Sequence, residues 1–301
     1  MKILLTGANG QVGWELSRSL AALGDVVALK REQCDLNKPS LLPGLVREVE
    51  PDVIVNGAAY TAVDQAETNE LEAMRINAES VEVLAREAKR LNALFVHYST
   101  DYVFDGKKST PYTETDTVCP INVYGRSKLE GEKGVARVAG DYLIFRTSWV
   151  YASRGRNFLR TIIKLAYERE EIHVVSDQFG APTWARDIAN TTRIAVSQYL
   201  YEKRLGEFHS GIYNLTSSGM TSWYGFAKYI LERYEQFGDK KDTLKFRDIK
   251  PIPSCSYPTP AARPEFSSLN VEKLERWLKV SMPSWEEACD LCVKEFLSES
   301  N

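Results

Sequence analysis

Short apolar runs alternate with amphipathic stretches along the first half of the chain. The runs KILLTG, DVVALK, DVIVNGAA, LFVHYST and YLIFRTSWV have the length of strands. Between them, apolar residues recur at helical spacing, which predicts strands joined by crossover helices and therefore a parallel sheet. We expect at least five strands in a doubly wound sheet, with a ligand crevice at their carboxyl ends. Helices are predicted over residues 11–23, in PSLLPGLVREV, over residues 70–91 and from NVYGRSK onward.

The alternation loosens after Trp149. The pattern predicts a helix near residues 157–168, a strand in IHVVS, a helix from Ala185, a strand in GIYNLT and a helix in WYGFAKYILERYEQF. Residues 251–264 hold five of the twelve prolines, which predicts an extended loop before two terminal helices.

This change of pattern predicts two domains. Residues 1–150, joined by return segments within 176–232, are expected to form the domain built on the sheet. The remaining parts of residues 151–301 are expected to form a smaller, mostly C-terminal α/β domain. The predicted fold class is therefore α/β, a doubly wound parallel sheet with a second, smaller domain.

Composition and charge narrow the class of protein. With 44% hydrophobic and 26% charged residues, a chain of 301 residues can bury a large core. The formal net charge is −3 and both signs are scattered, so we expect neither nucleic acid nor an anionic membrane as a partner. The first residues show no secretory signal pattern, and no run is long enough to span a bilayer. We therefore expect a cytoplasmic protein.

Cysteine and histidine spacing predicts no metal site. Five cysteines are too few and too dispersed for a disulfide framework. Cys289 and Cys292 recur with the apolar residues of SWEEACDLCVKEFL, so we interpret them as two buried helix residues rather than half of a zinc site. The three histidines, His97, His173 and His209, have no ligand-like spacing.

A glycine series follows the first strand. In LLTGANGQVG, Gly7, Gly10 and Gly13 stand between this strand and the helix after it. Glycines let the backbone approach a pyrophosphate, and the helix N-terminus offers free N–H groups and the positive end of its dipole. A structural turn is the alternative, but the position after the first strand favours dinucleotide binding.

The end of the second strand bears on the choice of dinucleotide. A site selective for NAD usually carries an acid there, which binds the adenosine ribose. Lys30 and Arg31 stand there instead, and cations suit a ribose 2′-phosphate, which favours NADP; a solvated basic turn is the alternative. Asp35 could contact the adenine edge. In NGAAYTAVD, Ala58 and Ala59 are small enough for a cofactor to lie against the backbone.

Tyr124 and Lys128 lie four residues apart in NVYGRSKLEGE. Tyrosine has an unperturbed pKa of about 10, so proton transfer near neutral pH needs a neighbouring cation that stabilises the phenolate. On a helix the two side chains share one face, so Lys128 can serve Tyr124 and also bind the nicotinamide ribose. The spacing alone is common by chance. Together with the glycine series and with STDYVF at the end of the preceding strand, it predicts a catalytic pair.

These motifs together resemble a known family. TGANGQVG, STDYVFDG and NVYGRSKLEGE are similar to the extended short-chain dehydrogenase/reductases, whose sheet is of the Rossmann type. FRTSWVY, DQFGAPT and YPTPAARP narrow the resemblance to the dTDP-4-dehydrorhamnose reductases, in family order over nearly the whole chain. The resemblance implies that residues 1–150 bind NAD(P) and that the smaller domain binds a nucleotide sugar.

The resemblance also implies a reaction and its residues. The family reduces the C4 ketone of dTDP-4-dehydro-6-deoxy-L-mannose to dTDP-L-rhamnose with NADPH or NADH. By resemblance, Tyr124 donates the proton, Lys128 tunes it, Thr100 hydrogen-bonds the reacting oxygen, and Asp101 reaches the sugar. Substrate contacts are also implied for Trp149, with a core aromatic as the alternative, and for Arg263, near the diphosphate. The implied cofactor-binding residues, beside those named above, are Gln11, Val12, Leu36, Tyr60, Thr61 and Tyr98.

Two departures from the family pattern matter. Lys30 stands where some members carry an acid, which favours NADPH over NADH. Some members dimerise around Mg²⁺ held by carboxylates, but Arg186 replaces an acid in GAPTWARDIA, and Glu286 is the remaining candidate ligand. We therefore expect a monomer or a homodimer without a bridging metal.

Two other functions fit the same motifs. An epimerase or dehydratase acting on another nucleotide sugar would share the glycine series and the Tyr–Lys pair. A non-catalytic regulatory subunit of the same fold would bind NADP without reducing a sugar; the presence of Tyr124, Lys128 and Thr100 argues against it.

Overall fold

A six-stranded parallel sheet organises the fold, in a computed structural model that describes residues 1–238 and 244–299. The described strands are β1 (Lys2–Thr6), β2 (Asp25–Leu29), β3 (Val53–Asn56), β4 (Leu94–Thr100), β5 (Tyr142–Thr147), β6 (Val150–Tyr151), β7 (Glu171–Val175), β8 (Phe179–Gly180), β9 (Thr183–Trp184), β10 (Gly211–Asn214), β11 (Thr221–Ser222) and β12 (Asp248–Ile252). The order in the main sheet is β10-β5-β4-β3-β1-β2, and each neighbouring pair is parallel.

Helices cover both faces of this sheet. The described α-helices are α1 (Gln11–Leu20), α2 (Leu42–Val49), α3 (Val63–Ala66), α4 (Glu70–Met74), α5 (Ser80–Arg90), α6 (Val123–Val138), α7 (Phe158–Glu168), α8 (Ala185–Leu205), α9 (Trp223–Phe237), α10 (Glu272–Leu278) and α11 (Trp285–Glu299). α1 and α8 pack on one face through Leu16 and Ile188, and α2 and α5 pack on the other through Val46 and Leu84. The doubly wound α/β architecture predicted from the sequence is confirmed.

The inner strands are apolar because both of their faces are covered. All four residues of β3 are buried, and in β1 only Lys2 is exposed. Such strands read as continuous apolar runs rather than as an alternation of apolar and polar residues. This is why KILLTG and DVIVNGAA are recognisable as strands in the sequence.

A second hydrophobic cluster lies among α7, α9 and α11. Phe226 and Ile230 of α9 pack there with Leu159 of α7. Cys289 and Cys292 are fully buried in the same cluster, which confirms them as buried residues of a helix. From the second half of the chain, α8 and β10 return to the main sheet, as does α10, whose Leu274 joins its core. The division into two domains stays a prediction.

The helix predicted over residues 70–91 contains a π-helical segment, Arg75–Glu79, between α4 and α5. Asn77 lies in this segment, and its side chain accepts from the backbone N–H of Tyr60 at 2.9 Å and donates to the Tyr60 carbonyl at 3.0 Å. It also donates to the Ser127 hydroxyl at 2.9 Å. The segment therefore ties the loop after β3 to α6. π-Helical turns often occur at functional sites.

The loop predicted over residues 251–264 begins as a strand. Pro251 lies inside β12, opposite Val174 of β7. The two strands form a separate two-stranded sheet, and proline is tolerated at such an edge because its missing N–H faces away from the partner strand. The segment after β12 contains one short 3₁₀ turn, Ser254–Ser256, and is otherwise without helix up to residue 264.

Among the described residues, none of the helices combines the length and apolar character that crossing a bilayer requires.

Candidate active site

A cleft of about 800 Å³ opens at the carboxyl ends of β1, β3, β4 and β5. This is the place where an open α/β sheet binds its ligands. The structure brings most of the predicted site residues together in its lining: Gly7, Gly10, Gln11, Val12, Arg31, Asp35, Leu36, Ala58, Ala59, Thr61, Tyr98, Thr100, Asp101, Tyr124, Lys128 and Trp149.

Four predicted residues lie outside the cleft lining. Gly13 is buried in the first turn of α1, and Lys30 is exposed and does not line the cleft. The Tyr60 hydroxyl accepts from Asn69 at 3.4 Å, while its backbone is held by Asn77. The fourth is Arg263, whose guanidinium forms two hydrogen bonds to the Asp64 carboxylate, at 3.0 and 2.8 Å. This pairing holds the pKa of Asp64 below its ordinary value.

The glycine loop forms a cradle that larger side chains would fill. Gly7 has φ 70°, in the left-handed region, and a Cβ there would lie 2.8 Å from the Ala58 nitrogen. A Cβ on Gly13 would lie 2.0 Å from the Gly7 carbonyl oxygen, so Gly13 lets α1 pack against the loop. Gly10 caps α1, and the N–H groups of the first turn have no partners within the helix. The cradle therefore fits the pyrophosphate of a dinucleotide.

Arg31 is the cation at the rim of this cradle. Its side chain is 67% exposed and lies 3.8 Å from Asp35 and 3.7 Å from Glu72. These distances are long for ion pairs, so the guanidinium can turn toward an anion in the cleft. Asp35 accepts from the backbone N–H of Asn37 at 3.0 Å, which fixes the loop after β2.

The start of α6 positions Tyr124 and Lys128. The Asn122 side chain caps the helix by accepting from the Gly125 N–H at 2.7 Å and donates to the Ala262 carbonyl at 2.8 Å. A Cβ on Gly125 would lie 2.1 Å from the Tyr102 carbonyl oxygen, so only glycine allows α6 to approach the end of β4 this closely. The cap and the glycine together hold the first turn of α6 against the cleft.

Burial changes the proton affinities of this pair in opposite directions. It raises the pKa of Tyr124 to about 12, against the effect of a hydrogen bond with Thr100. It lowers the pKa of Lys128 to about 7, against the attraction of Glu132. Lys128 is 2% exposed. A lysine with this pKa changes its charge near neutral pH, which is a property of functional rather than structural lysines.

Thr100 and Asp101 close the base of the cleft. The Thr100 hydroxyl donates to an Asp101 carboxylate oxygen at 3.0 Å, and both residues are buried. Burial raises the pKa of Asp101 to about 7, although hydrogen bonds with Ser267 and Thr100 favour its charged form. Asp101 can therefore act as a donor or an acceptor toward a sugar hydroxyl near neutral pH.

Trp149 forms the opposite wall. Its ring stacks on Trp223, and its backbone has φ 47°, an uncommon conformation for a bulky residue. A Cβ on Gly180 would lie 2.6 Å from the Trp149 ring. The indole is partly buried and lines the cleft.

Two groups of residues at this site carry no recognisable signal in the sequence. Trp223 and Arg156 also line the cleft, and both come from the second half of the chain, where no motif marks them. His97, Asn56 and Thr6 form a buried network behind Lys128. Asn56 lies 41 positions from His97 and 50 from Thr6, so no local pattern marks this network in the sequence.

The residues around Arg186 do not fit a Mg²⁺ ion. Its guanidinium binds both oxygens of Glu15, at 3.1 and 3.3 Å, and Glu295 at 2.6 Å. The cation between the two carboxylates is therefore supplied by the chain itself. Across residues 1–238 and 244–299, no three acidic, histidine or cysteine side chains converge for a metal, and Glu286 belongs to no such cluster.

The parallel sheet, the glycine cradle and the Tyr–Lys pair on α6 define an NAD(P)-binding enzyme of the extended short-chain dehydrogenase/reductase class. Residues 1–298 match the model of the family described as the RmlD substrate binding domain. The chain is 54% identical over 299 residues to a dTDP-4-dehydrorhamnose reductase from Burkholderia thailandensis, covering 99% of this chain and all of the relative. The chain belongs to the dTDP-4-dehydrorhamnose reductase family.

Solved structures agree with this assignment. A dTDP-4-dehydrorhamnose reductase from Bacillus anthracis in complex with NADP is 34% identical, with a TM-score of 0.85, over 98% of this chain and 99% of that one. A UDP-glucose 4-epimerase from Thermotoga maritima with UDP-glucose is 19% identical, with a TM-score of 0.78 over both whole chains. The second likeness concerns the fold alone.

Proposed function

We propose that the protein reduces the C4 ketone of dTDP-4-dehydro-6-deoxy-L-mannose with NADPH and so makes dTDP-L-rhamnose, the last step of dTDP-rhamnose biosynthesis. The observation that carries the proposal is the convergence of Thr100, Tyr124 and Lys128 in the cleft that also holds the glycine cradle. Bound NADPH, or less efficiently NADH, would supply the hydride for the ketone carbon.

Tyr124 and Thr100 serve the ketone oxygen. Tyr124 is held in its protonated form by burial, so it can donate its proton as negative charge develops on this oxygen. Thr100 orients the same oxygen by turning its hydroxyl proton from Asp101 to the ketone. Proton donation to the oxygen during hydride transfer avoids a free alkoxide. Lys128 in its ammonium form stabilises the tyrosinate that remains.

The other cleft residues bind and orient. Gly7, Gly10 and the first turn of α1 hold the pyrophosphate, and Arg31 meets the 2′-phosphate at the rim. Further cofactor contacts come from Gln11, Val12, Asp35, Leu36, Ala58, Ala59, Thr61 and Tyr98, whereas Tyr60, Gly13 and Lys30 make no direct contact. Asp101 binds a sugar hydroxyl, and the partly buried Trp149 covers the sugar.

Arg263 has a conditional role in substrate binding. Both terminal nitrogens of Arg263 donate to Asp64, so the guanidinium must give up at least part of this pairing to reach the diphosphate. Arg263 therefore exchanges the Asp64 carboxylate for a phosphate group when the substrate binds. Both groups accept two hydrogen bonds from a guanidinium in the same fork geometry.

A cytoplasmic location follows from the same proposal. All five cysteines are free thiols, three of them buried, which suits a reducing compartment.

The test is reduction of the freshly generated keto sugar by the purified protein and NADPH. We expect one NADPH consumed per dTDP-rhamnose formed, with turnover lowered by roughly 10² or more in Tyr124→Phe because the ring remains and the proton donor is lost. Tyr201→Phe is the matched control, since Tyr201 is 62% exposed and lies away from the cleft. Conversion of a nucleotide sugar without net NADPH consumption would indicate an epimerase or dehydratase instead. No reduction at all, with NADP still bound, would indicate a regulatory subunit.

A further inference from the structure

A chain of buried polar side chains runs beneath the cleft and ends at Lys128. The Thr6 hydroxyl donates to Asn56 Oδ1 at 2.6 Å, and Asn56 Nδ2 lies 3.2 Å from His97 Nδ1. His97 Nε2 lies 3.4 Å from Lys128 Nζ. The four residues come from β1, β3, β4 and α6, and none is more than 2% exposed. These four residues therefore have no access to solvent except through the cleft.

The direction of these hydrogen bonds is set at the Thr6 end. The backbone N–H of Ala58 donates to Thr6 Oγ1 at 3.4 Å, so the hydroxyl proton is free to be donated onward to Asn56 Oδ1. The amide nitrogen of Asn56 then faces His97 Nδ1 and donates to it. If the Asn56 amide were reversed, the Thr6 hydroxyl would face an N–H group, and its proton would have no acceptor among these four residues.

The tautomer of His97 follows from this direction. A neutral imidazole whose Nδ1 accepts a hydrogen bond carries its proton on Nε2. Burial, together with the nearby Lys128, holds the pKa of His97 well below its ordinary value, so the ring stays neutral. The N–H of Nε2 is thus directed at the lysine nitrogen. An amine can accept this hydrogen bond, whereas an ammonium, which has only donors, cannot.

Besides burial, which is the main cause of its low pKa, Lys128 has two titratable neighbours and one buried polar contact in the part of the chain that the structure describes. Tyr124 and Glu132 face it from α6 itself. Glu132 would favour the ammonium, but its carboxylate is already bound at both oxygens by Arg146 of β5, at 2.9 and 2.7 Å. Arg146 therefore shares the Glu132 carboxylate and weakens its attraction for the ammonium, while His97 Nε2 lies within hydrogen-bond distance of Lys128.

We propose that His97 is a positioning residue that favours the amine form of Lys128 through its Nε2–H, with the tautomer fixed by Asn56 and Thr6. The consequence for catalysis rests on the proposed reductase function. Because the ammonium is the form that stabilises tyrosinate, the reduction rate falls as pH rises through the lysine pKa. This fall is the basic limb of the pH–rate profile. His97 keeps the limb near neutral pH, where Lys128 gains and loses its proton readily.

The tautomer can be measured without any activity. The chain has three histidines, so protein labelled with ¹⁵N-histidine gives three sets of imidazole signals in long-range proton–nitrogen correlation spectra. We expect one set, absent from His97→Phe, that remains neutral with its proton on Nε2 from roughly pH 5 to 9. The exposed His173 and His209 serve as internal references. An Nδ1-protonated or charged His97 would overturn the proposal, whatever the protein catalyses.

Two variants test the effect on Lys128. His97→Phe keeps the ring that stacks on Phe95 but removes the N–H, so the basic limb of kcat/KM should move up by roughly one pH unit. In Asn56→Asp, the new carboxylate should accept a hydrogen bond from His97 Nδ1. The neutral ring would then carry its proton on Nδ1 instead of Nε2, and Nε2 would be free to accept from the ammonium of Lys128. The limb should again move up, and the NMR signal should change to the other tautomer.

Phe95→Leu separates a positioning role from a structural one. It removes the stacked neighbour of His97, with ring centroids 6.2 Å apart, and leaves the hydrogen bonds in place. We expect a lower Tm and an unmoved basic limb. If His97→Phe and Asn56→Asp lower Tm or turnover at every pH without moving the limb, or move it down, the proposal is wrong. The expected tautomer in a protein that reduces no sugar would refute the proposed function and leave the hydrogen-bonded chain standing.

Discussion

Trp149 stacks face to face on Trp223, with ring centroids 3.5 Å apart and planes 6° from parallel. Trp149 follows β5 of the main sheet, while Trp223 begins α9, whose core belongs to the second hydrophobic cluster. Phe158 packs against Trp223 as well, with ring centroids 4.6 Å apart. The two indoles therefore join the sheet to the C-terminal helices across one wall of the cleft.

This contact predicts a kinetic rather than a structural effect of Trp149→Ala. In the proposed function the indole covers the sugar, so the variant should raise KM for the sugar about tenfold and leave the KM for NADPH unchanged. Trp223→Ala should raise the sugar KM by a smaller factor, roughly threefold, since an aromatic pair contributes about 0.5 to 1.5 kcal/mol beyond its buried area. Trp223→Phe is the matched control: it keeps an aromatic ring against Trp149, so the sugar KM should stay close to the wild-type value. A lower Tm with unchanged kinetics in Trp149→Ala would instead support the core-aromatic alternative.

The sequence predicts those parts of the fold whose cause is local. β1 and β3 are recognisable because helices cover both faces, which makes the strands uniformly apolar. Tyr124 and Lys128 are recognisable because a helix places residues four apart on one face. In both cases the decisive contact lies within a few positions of the residue concerned.

Contacts between distant positions explain the features that the sequence does not predict. The π-helical segment exists because Asn77 binds the backbone of Tyr60, and no propensity of RINAE predicts this contact. Arg263 is predicted from its motif as a phosphate ligand, and its guanidinium donates to Asp64, 199 residues earlier. Such partners become visible only once the chain is folded.

Glu132 and Arg146 form a buried ion pair, with side chains 2% and 3% exposed. Glu132→Gln should lower the free energy of unfolding by about 3 to 5 kcal/mol, because it leaves the guanidinium buried without its countercharge. Denaturant unfolding measures this loss. Glu130→Gln is the matched control: Glu130 pairs with Lys133 at the surface of the same helix, so the unfolding midpoint should stay nearly unchanged. Equal effects of the two substitutions would show that the buried pair is no more important than the exposed one.

The guanidinium of Arg186 between Glu15 and Glu295 predicts activity that does not depend on Mg²⁺. Treatment with EDTA should leave kcat/KM unchanged. Arg186→Glu should lower Tm, because three carboxylates would then converge, and added Mg²⁺ should recover part of the loss by binding their oxygens. Arg186→Gln removes the cation without adding a charge, so its Tm should respond little to Mg²⁺. Loss of wild-type activity on EDTA treatment would contradict the assignment.

Cofactor preference is predicted to depend mainly on Arg31. Arg31 lines the rim of the cleft, whereas Lys30 is exposed and outside the lining. A charge-assisted hydrogen bond to the 2′-phosphate contributes about 1.5 to 3 kcal/mol at best. Solvent screening at a side chain that is 67% exposed reduces this contribution. We therefore expect NADPH to exceed NADH in kcat/KM by about tenfold, which corresponds to about 1.4 kcal/mol.

Single and double variants distinguish the contributions of Lys30 and Arg31 to the cofactor preference. Arg31→Ala should bring the two cofactors close to equal, Arg31→Lys should keep part of the preference because a point charge replaces a two-pronged donor, and Lys30→Ala should change little. Lys30→Asp combined with Arg31→Ala should reverse the order, since an acid binds the ribose hydroxyls and repels the phosphate. Because the contact is electrostatic and exposed, the wild-type preference should shrink from low to moderate salt while that of Arg31→Ala stays constant. Equal efficiencies with both cofactors in the wild type at low salt would mean that Arg31 faces solvent when the dinucleotide is bound.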